Sequence, residues 1–178
     1  MRLRALTPAD LPDVLEDLAE ILAACVADGA SVGFVMPFGI AQARAFWQEA
    51  VFDPVRAGDR VLWVAEDGGR CVGTVQLVLA SMPNQTHKAE VAKMLVHPQW
   101  RRRGIGNALM QALIARARAE GRQMLLLDTR SGDAAQRLYA ACGFRAVAEI
   151  PDYALAPEGT GRLDPTTFMI RHLGPQDA

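Results

Sequence analysis

Apolar and polar positions follow two periodicities along this chain. Apolar residues at helical spacing predict four helices, over residues 8–27, 40–52, 104–120 and 133–142. Short runs rich in Val and Leu, bounded by turn residues, predict seven strands, over residues 2–6, 60–66, 71–80, 89–96, 124–129, 144–150 and 166–172. This order of elements predicts an α+β fold, in which helices cover the faces of a mixed sheet.

Local signals refine these boundaries. Residues 7–10 are typical of a helix start, with Thr as the N-cap, Pro at the first helical position and Asp three residues after the cap. Residues 151–165 are expected to form a loop, which is long for a hairpin connection and therefore a candidate functional segment. We expect one domain over residues 1–173, followed by a frayed tail over residues 174–178.

Composition excludes several classes of protein. The chain is 51% apolar and 22% charged with a net charge of −1, so it has no broad basic field for nucleic acid or a membrane surface. It has no apolar run of about 18 residues and no apolar region of a signal peptide. We therefore expect a cytoplasmic protein without nucleic-acid or membrane partners. The three cysteines lack the spacing of a disulfide framework, so we expect buried thiols at Cys25, Cys71 and Cys142. The three histidines lack metal-ligand spacing, so we expect no metal at His87, His97 and His172.

The strongest chemical signal lies in residues 91–107. A strand breaks at His97-Pro98, crosses a loop of three arginines and enters a helix at Gly104. Free N–H groups at a helix start, together with its dipole, form an anion site made from the main chain. Glycines at 104 and 106 leave room for a bulky diphosphate. Two common phosphate loops are excluded, because Gly106 is not followed by Lys-Ser/Thr and residue 109 is not glycine.

Two motifs together resemble the GNAT superfamily of N-acetyltransferases. The spacing Arg101-x-x-Gly104-x-Gly106 resembles its acetyl-CoA loop, and residues 135–144 match its second signature, Ala-x-x-Leu-Tyr-x-x-x-Gly-Phe. The resemblance, strongest over residues 88–150, implies a three-layer α/β/α fold with a mostly antiparallel, twisted sheet of about seven strands. It also implies acetyl-CoA as cosubstrate. One departure is Gly132, which stands where the family often carries a cofactor-binding Asn.

The resemblance implies roles for individual residues. The main chain of Leu95 and Val96 would bind the pantetheine arm, and N–H groups around Val96 suit a developing oxyanion. Main-chain N–H groups would hold the pyrophosphate, from Arg101, Arg102, Arg103, Gly104, Gly106 and Asn107. The arginine side chains either contact the 3′-phosphate or face water, and we expect water for at least one. Tyr139 is the expected general acid near the thioester sulfur; the alternative is a Tyr packed in the core.

Two carboxylates are candidate bases, because an alkylammonium with a pKa near 10.4 must lose a proton before it attacks. Glu90 lies eleven residues before Arg101, the spacing of a catalytic Glu in histone-type GNAT enzymes. Apolar neighbours predict partial desolvation and a raised pKa for Glu90. The alternative is an edge-strand carboxylate paired with Lys88 or Lys93. Asp128 follows three leucines and would bind the substrate ammonium, act with Glu90, or cap the helix at 133.

Acceptor specificity is expected in residues 31–39, 81–87 and 151–165. The tail Pro-x-Tyr…Gly-Arg-Leu-x-Pro-Thr is similar to the GNAT branch that includes the tabtoxin-resistance acetyltransferase, which acetylates the amine of a β-lactam amino-acid toxin. Tyr153 and Arg162 are candidate substrate contacts, the latter for a carboxylate. Their alternative is hairpin packing with solvent exposure.

The main hypothesis is an N-acetyltransferase that acts on a primary amine of a small molecule, by direct attack in a ternary complex. No cysteine has a nearby general base in the sequence, since the arginine that precedes Cys71 stays protonated, and this disfavours an acetyl-cysteine route. Two other hypotheses stay open: protein N-terminal acetylation, and an acyl-CoA sensor that has lost its chemistry. A homodimer is expected only because GNAT proteins are often dimers.

Overall fold

The computed structural model describes residues 1–174. The rest of the predicted tail, residues 175–178, lies outside the described residues. Seven strands form one sheet: β1 (Arg2–Ala5), β2 (Arg60–Asp67), β3 (Arg70–Leu79), β4 (Lys88–Val96), β5 (Met124–Arg130), β6 (Arg145–Leu155) and β7 (Leu163–His172). The helices are α1 (Leu11–Ala27), α2 (Ile40–Phe46), α3 (Asp53–Ala57), α4 (Ile105–Ala119) and α5 (Ala134–Ala141). The predicted α+β class and three-layer arrangement are confirmed.

The sheet has the order β1-β2-β3-β4-β5-β7-β6, and every neighbouring pair except β4 and β5 is antiparallel. The parallel contact is short, because only residues 88–90 of β4 pair with residues 124–126 of β5. Beyond Glu90 the two strands separate. The C-terminal half of β4 therefore keeps one partner, β3, and turns its other edge toward an opening in the sheet.

Helices cover both faces of the sheet. On one face α4 packs on a core that includes Val91 and Leu125, and on the other α1 and α2 pack on a core that includes Leu62 and Val64. Because successive side chains of a strand point to opposite faces, Val91 lies on the α4 face and Glu90 on the α1 face.

The start of α1 confirms the predicted helix start. The backbone N–H and the hydroxyl of Thr7 donate to the Asp10 carboxylate at 2.7 and 2.5 Å, and a 3-10 turn over residues 8–10 leads into the helix. These hydrogen bonds, with a further one from the Arg4 guanidinium, lower the pKa of Asp10 to about 2.

The second predicted helix runs further than expected. A π-helical turn over Trp47–Phe52 connects α2 to α3, so helical structure continues to Ala57 rather than ending at residue 52. Pro54 occupies the first turn of α3, where its missing N–H costs no helical hydrogen bond. The wider turn buries Trp47, Val51 and Phe52.

The predicted loop over residues 151–165 is wrong for most of its length. Strand β6 continues to Leu155 and β7 begins at Leu163, so the connection spans only residues 156–162. The ladder is irregular between Ile150 and Ala154, where Asp152 has a φ of 52°. Because almost all of this edge strand is exposed, it lacks the apolar alternation by which a strand is recognised.

The three cysteines are buried as free thiols, as expected. Within residues 1–174, no helix combines the length and the apolar character needed to cross a membrane.

Candidate functional site

The separation of β4 from β5 leaves the main chain of Val96 without a strand partner on the β5 side. His97 donates its N–H to the Val72 carbonyl on the β3 side at 2.9 Å, so the peptide groups of its neighbour Val96 face the opposite way. The Val96 carbonyl accepts from the Arg101 guanidinium at 3.2 Å and from the Cys25 thiol at 3.4 Å. The Val96 N–H is therefore the main-chain donor directed at the opening, whereas Leu95 pairs with Thr74 of β3.

The loop after β4 presents a row of amides. Arg102 and Gly104 adopt left-handed backbone conformations, with φ of 64° and 79°, and α4 begins at the next residue. The first three amides of a helix lack intrahelical acceptors. Such alternation of conformations gathers amides into an anion-binding concavity, here called the amide nest and defined as residues 102–107. Arg101 lies outside it, because its N–H donates to the Pro98 carbonyl at 3.3 Å.

The two glycines of the first motif have different roles. A Cβ added to Gly104 would meet nothing within 4 Å, so glycine is needed there for its positive φ, beside open space. A Cβ on Gly106 would lie 3.0 Å from Cδ2 of Leu138. Gly106 therefore allows α5 to approach α4, rather than only leaving room for a diphosphate. Since Leu138 belongs to the second motif, the two motifs pack directly on each other.

The Arg101 side chain anchors the end of β4. Besides its contact with Val96, the guanidinium forms an ion pair with Asp28 and lies 3.8 Å from the Cys25 sulfur, at the end of α1. Arg103 donates to the Gln99 carbonyl at 3.3 Å, and the Arg102 residue is exposed, as expected for at least one of the three. No sequence motif indicated the Asp28 partner.

The structure brings the two candidate bases to one face of the sheet. Glu90 pairs across the parallel contact with Leu126, and Asp128 follows two residues later on the same face. Both residues are exposed, so the desolvation expected for Glu90 is absent. Strand β4 is also an interior strand, which contradicts the edge-strand alternative for Glu90. Asp133 rather than Asp128 caps α5, since its carboxylate accepts the Ala134 N–H at 3.3 Å.

Tyr139 is buried on the α4 side of the sheet, with its ring centroid 6.1 Å from that of Phe144. Burial raises the pKa of Tyr139 well above its ordinary value, and the negative charge of Asp128 raises it further. The phenol therefore keeps its proton throughout the neutral and mildly alkaline range. Tyr139 is both a core residue and a group that senses the charge of Asp128.

Gly132, where the family often has Asn, is held by local contacts. Its N–H donates to the Gln136 side-chain oxygen at 2.6 Å, and the Gln136 amide lies 3.4 Å from the Thr167 hydroxyl. The amide of Gly132 is thus engaged by α5, and the sequence did not indicate Gln136 as its partner.

The two predicted substrate contacts, Tyr153 and Arg162, differ in their partners within the structure. Tyr153 is 48% exposed and packs edge-on against Phe168 at 5.6 Å, and Phe168 is the cross-strand partner of Asp128. Arg162 instead forms ion pairs with the buried carboxylate of Asp164 at 2.7 Å and with Glu158 at 3.2 Å. Its charge is already compensated inside the hairpin, which argues against the expected role in binding a substrate carboxylate.

An aromatic group lies over the same face. The ring of Phe34, in the loop before α2, lies 4.4 Å from Phe38 and 5.1 Å from Phe46, and the Lys93 ammonium lies 5.9 Å and 5.4 Å from the Phe34 and Phe46 centroids. We call Phe34, Phe46, Glu90, Lys93 and Asp128 the acceptor face. The apolar loop 31–39 was expected near the acceptor, but Lys93 was not assigned to it.

Comparison with known proteins is decisive for the family. Residues 15–144 match the acetyltransferase (GNAT) family. The chain belongs to the GNAT family. This match confirms the family membership that the two motifs predicted. It also confirms, for the family, the enzyme class of acetyltransferases and the cosubstrate acetyl-CoA.

Individual relatives add detail. N-acetylaspartate synthetase of Danio rerio is 32% identical over 111 residues, which cover 62% of this chain but only 38% of that protein. A ribosomal-protein-alanine N-acetyltransferase from Brucella melitensis is 25% identical, with a TM-score of 0.76, over 97% of this chain and 100% of the other. An acetyltransferase from Salmonella typhimurium, solved with its cofactor acetyl-CoA, is 23% identical, with a TM-score of 0.77, over 100% and 96%. The similarity to the tabtoxin-resistance branch stays a prediction.

Proposed function

We propose that this protein transfers the acetyl group of acetyl-CoA to the primary amine of a small, amino-acid-like molecule by direct attack in a ternary complex. One observation carries the proposal. The β4–β5 contact ends at Glu90, and this early end supports a site made of the Val96 N–H, the amide nest, two exposed carboxylates and a protonated phenol coupled to Asp128.

The residues at the opening fit a coenzyme A thioester. The amide nest offers N–H groups to a diphosphate, and the open space at Gly104 gives that group access to the backbone. The Val96 N–H is directed at the opening beside it. When bound, acetyl-CoA supplies the activated acyl group, whose thiol has a pKa near 8.5 and is a fair leaving group.

Proton transfer falls to three side chains. Glu90 and Asp128, on one exposed face, take the proton of the acceptor ammonium, directly or through water. The Tyr139 phenol, which its raised pKa keeps protonated, donates a proton or a strong hydrogen bond to the departing sulfur. The Val96 N–H donates to the carbonyl oxygen on which negative charge develops.

The acceptor face favours a small acceptor over a peptide. The hairpin tip at residues 156–162 closes on the loop at 31–39, where the Met36 N–H donates to the Pro157 carbonyl at 2.8 Å. A Cβ on Gly159 would lie 2.7 Å from the Met36 carbonyl oxygen, so the two segments are in tight contact. The name of the Danio rerio relative, N-acetylaspartate synthetase, agrees with an amino-acid acceptor.

Protein N-terminal acetylation is the second candidate. The name of the Brucella melitensis structure, a ribosomal-protein-alanine N-acetyltransferase, is the observation that favours it. The tight contact between residues 31–39 and 156–162 argues against an extended peptide crossing the acceptor face.

Two measurements test the proposal in sequence. The first compares melting temperatures with and without millimolar acetyl-CoA, because a ligand bound only by the native state raises stability. The second follows thiol release with a panel of amino acids, polyamines, aminoglycosides and short peptides. We expect a melting shift and thiol release with amino acids.

The outcomes separate the hypotheses. A melting shift without thiol release from any amine indicates an acyl-CoA sensor. Release with peptides alone indicates N-terminal acetylation. Absence of any melting shift removes acetyl-CoA binding, and with it the proposed function.

A further inference from the structure

The Lys93 side chain does not follow the alternation of faces along β4. Gln76 pairs with Ala92 and Thr74 with Leu95, so Lys93 and Met94 together oppose the single residue Val75 in a β-bulge. Strict alternation would send Lys93 to the face of Val91, into the core beneath α4. Instead, Lys93 adopts a φ of 46°, and its ammonium lies over the rings of the acceptor face. A strained conformation at a lysine indicates that the direction of this charge matters.

The Lys93 ammonium has no ion-pair partner among residues 1–174, where no carboxylate oxygen lies within 4.0 Å of it. Burial lowers the pKa of Lys93, and the Arg60 charge lowers it further, while Asp128 and Glu90 act in the opposite direction. Rings of Phe34 and Phe46 cover the ammonium on one side. A half-buried cation without a bonded anion is an incomplete arrangement that an incoming anion completes.

A second group of donors lies beside it. Arg60 of β2 pairs with Val78 of β3, which in turn pairs with Glu90 of β4. Gln76 of β3 lies two residues from Val78. The side chains of Arg60 and Gln76 therefore lie on the same face of the sheet as Glu90. Arg60 donates to the Gln76 side-chain oxygen at 2.5 Å. The Arg60 Nε and the fully buried Gln76 Nε2 have no hydrogen-bond partner within the described residues. The donors therefore share this face with the two exposed carboxylates: burial lowers the pKa of Arg60 while the Glu90 charge raises it, and the charges of Asp128 and Glu90 act in the same upward direction on the pKa of Lys93.

We propose that Lys93 binds an anionic group of the acceptor, a carboxylate next to the amine that is acetylated, and that Arg60, fixed by its hydrogen bond to Gln76, adds positive charge beside it. The inference rests on the proposed function and narrows its substrate to a zwitterion. Glu90 and Asp128 face the ammonium end of such an acceptor, while Lys93 faces the carboxylate end. Phe34 and Phe46 form the apolar wall against its side chain. Lys93 is thus the specificity-determining residue that Arg162 was expected to be.

The test compares each of the twenty common amino acids with its own carboxamide, which keeps the amine and removes the negative charge. In the wild-type protein we expect at least one amino acid to have a kcat/KM about tenfold or more above its amide. In Lys93→Met the KM for that acid should rise by at least about tenfold, with little change for the amide. Lys93→Arg should restore the preference. Arg116→Met, an exposed arginine of α4 paired with Glu120, is the matched control and should keep the wild-type ratio.

A second measurement does not depend on variants that fold. Product inhibition of the wild-type protein by an N-acetyl amino acid should exceed inhibition by the corresponding N-acetyl amide by a similar factor. If thiol is released at equal rates with amino acids and with their amides, the role of Lys93 is overturned and the proposed function stays intact. Equal losses for acid and amide in Lys93→Met would also overturn it. Failure of the proposed function itself shows differently, as no thiol release with any amine.

Discussion

The amide nest and the acceptor face are the two parts of the candidate site, and they are built in opposite ways. The nest is contiguous in the chain and uses main-chain groups, so its properties depend on the backbone conformations of Arg102 and Gly104. The acceptor face draws charged and aromatic side chains from four separate segments: the loop before α2, α2 itself, β4 and β5. The nest should therefore respond to changes of conformation, and the acceptor face to changes of charge.

Removing both carboxylates of the acceptor face should produce the largest effect. We expect the variant with Glu90→Gln and Asp128→Asn to lose about 10³-fold in turnover near neutral pH, because the acceptor ammonium then lacks a base. The loss should shrink as the pH rises toward the pKa of the amine, near 10.4. Thiol release between pH 6.5 and 10 measures this.

Acetyl-CoA affinity is the control for the carboxylate variant, and it should stay at the wild-type value because the nest is untouched. Each single variant should fall between the wild-type protein and the double variant. Retention of more than about a tenth of the wild-type turnover at pH 7 would show that neither carboxylate is the base.

The phenol should have the next largest effect. Tyr139→Phe keeps the buried ring beside Phe144 and removes the proton donor, so kcat should fall about 10²-fold with little change in acetyl-CoA binding. Because the pKa of Tyr139 is raised above its usual range, the wild-type phenol should not lose its proton below about pH 10. Steady-state kinetics with calorimetric titration of acetyl-CoA separate the two quantities.

Thermal denaturation is the control for that substitution, because Tyr139→Phe keeps the buried ring and should melt close to the wild-type protein. Equal losses of turnover and of acetyl-CoA affinity in Tyr139→Phe would assign Tyr139 a structural role only.

The two glycines of the first motif distinguish conformation from packing in the nest. Gly104→Ala forces a side chain into a φ of 79°, which costs about 1–2 kcal/mol, and we expect acetyl-CoA to bind about tenfold more weakly. Gly106→Ala brings a methyl group to 3.0 Å from the flexible end of Leu138, so its main effect should be on melting temperature.

Calorimetric titration and thermal denaturation read the two glycine effects separately. The additional substitution Leu138→Ala should relieve the contact in Gly106→Ala and recover part of the lost melting temperature. An affinity loss in Gly106→Ala as large as that in Gly104→Ala would mean that the nest depends on space rather than on backbone conformation.

The smallest effect should come from the hydrogen bonds between Thr7 and Asp10 at the start of α1. The pKa of Asp10, lowered to about 2, means that its ionised form stabilises the fold above its ordinary pKa of 3.8. That stabilisation is lost as the pH falls through about 2. Asp10→Asn should therefore lower the melting temperature modestly at pH 7, and the difference from wild type should shrink between about pH 4 and 2. A difference independent of pH would contradict the role of the charge.

Features that depend on neighbouring residues followed from the sequence. The order of elements along the chain, the helix start at Thr7 and the amides at the start of α4 were all predicted, because helical periodicity, capping and helix-end amides act over a few residues. Prediction failed at two boundaries: the second helix was expected to end at residue 52, although helical structure continues to Ala57, and the exposed strand β6 carried no apolar alternation.

Features made by distant residues needed the tertiary structure. The sequence indicated Glu90 and Asp128 singly, but only the parallel pairing of residues 88–90 with residues 124–126 places them on one exposed face. Ion pairs with Glu158 and Asp164 removed Arg162 from the acceptor site, and a bulge opposite Val75 brought Lys93 into it. The main-chain half of the site was predictable from the residues alone, because backbone geometry is local. The side-chain half required the fold, because the direction of a charge depends on strands that meet from far apart in the chain.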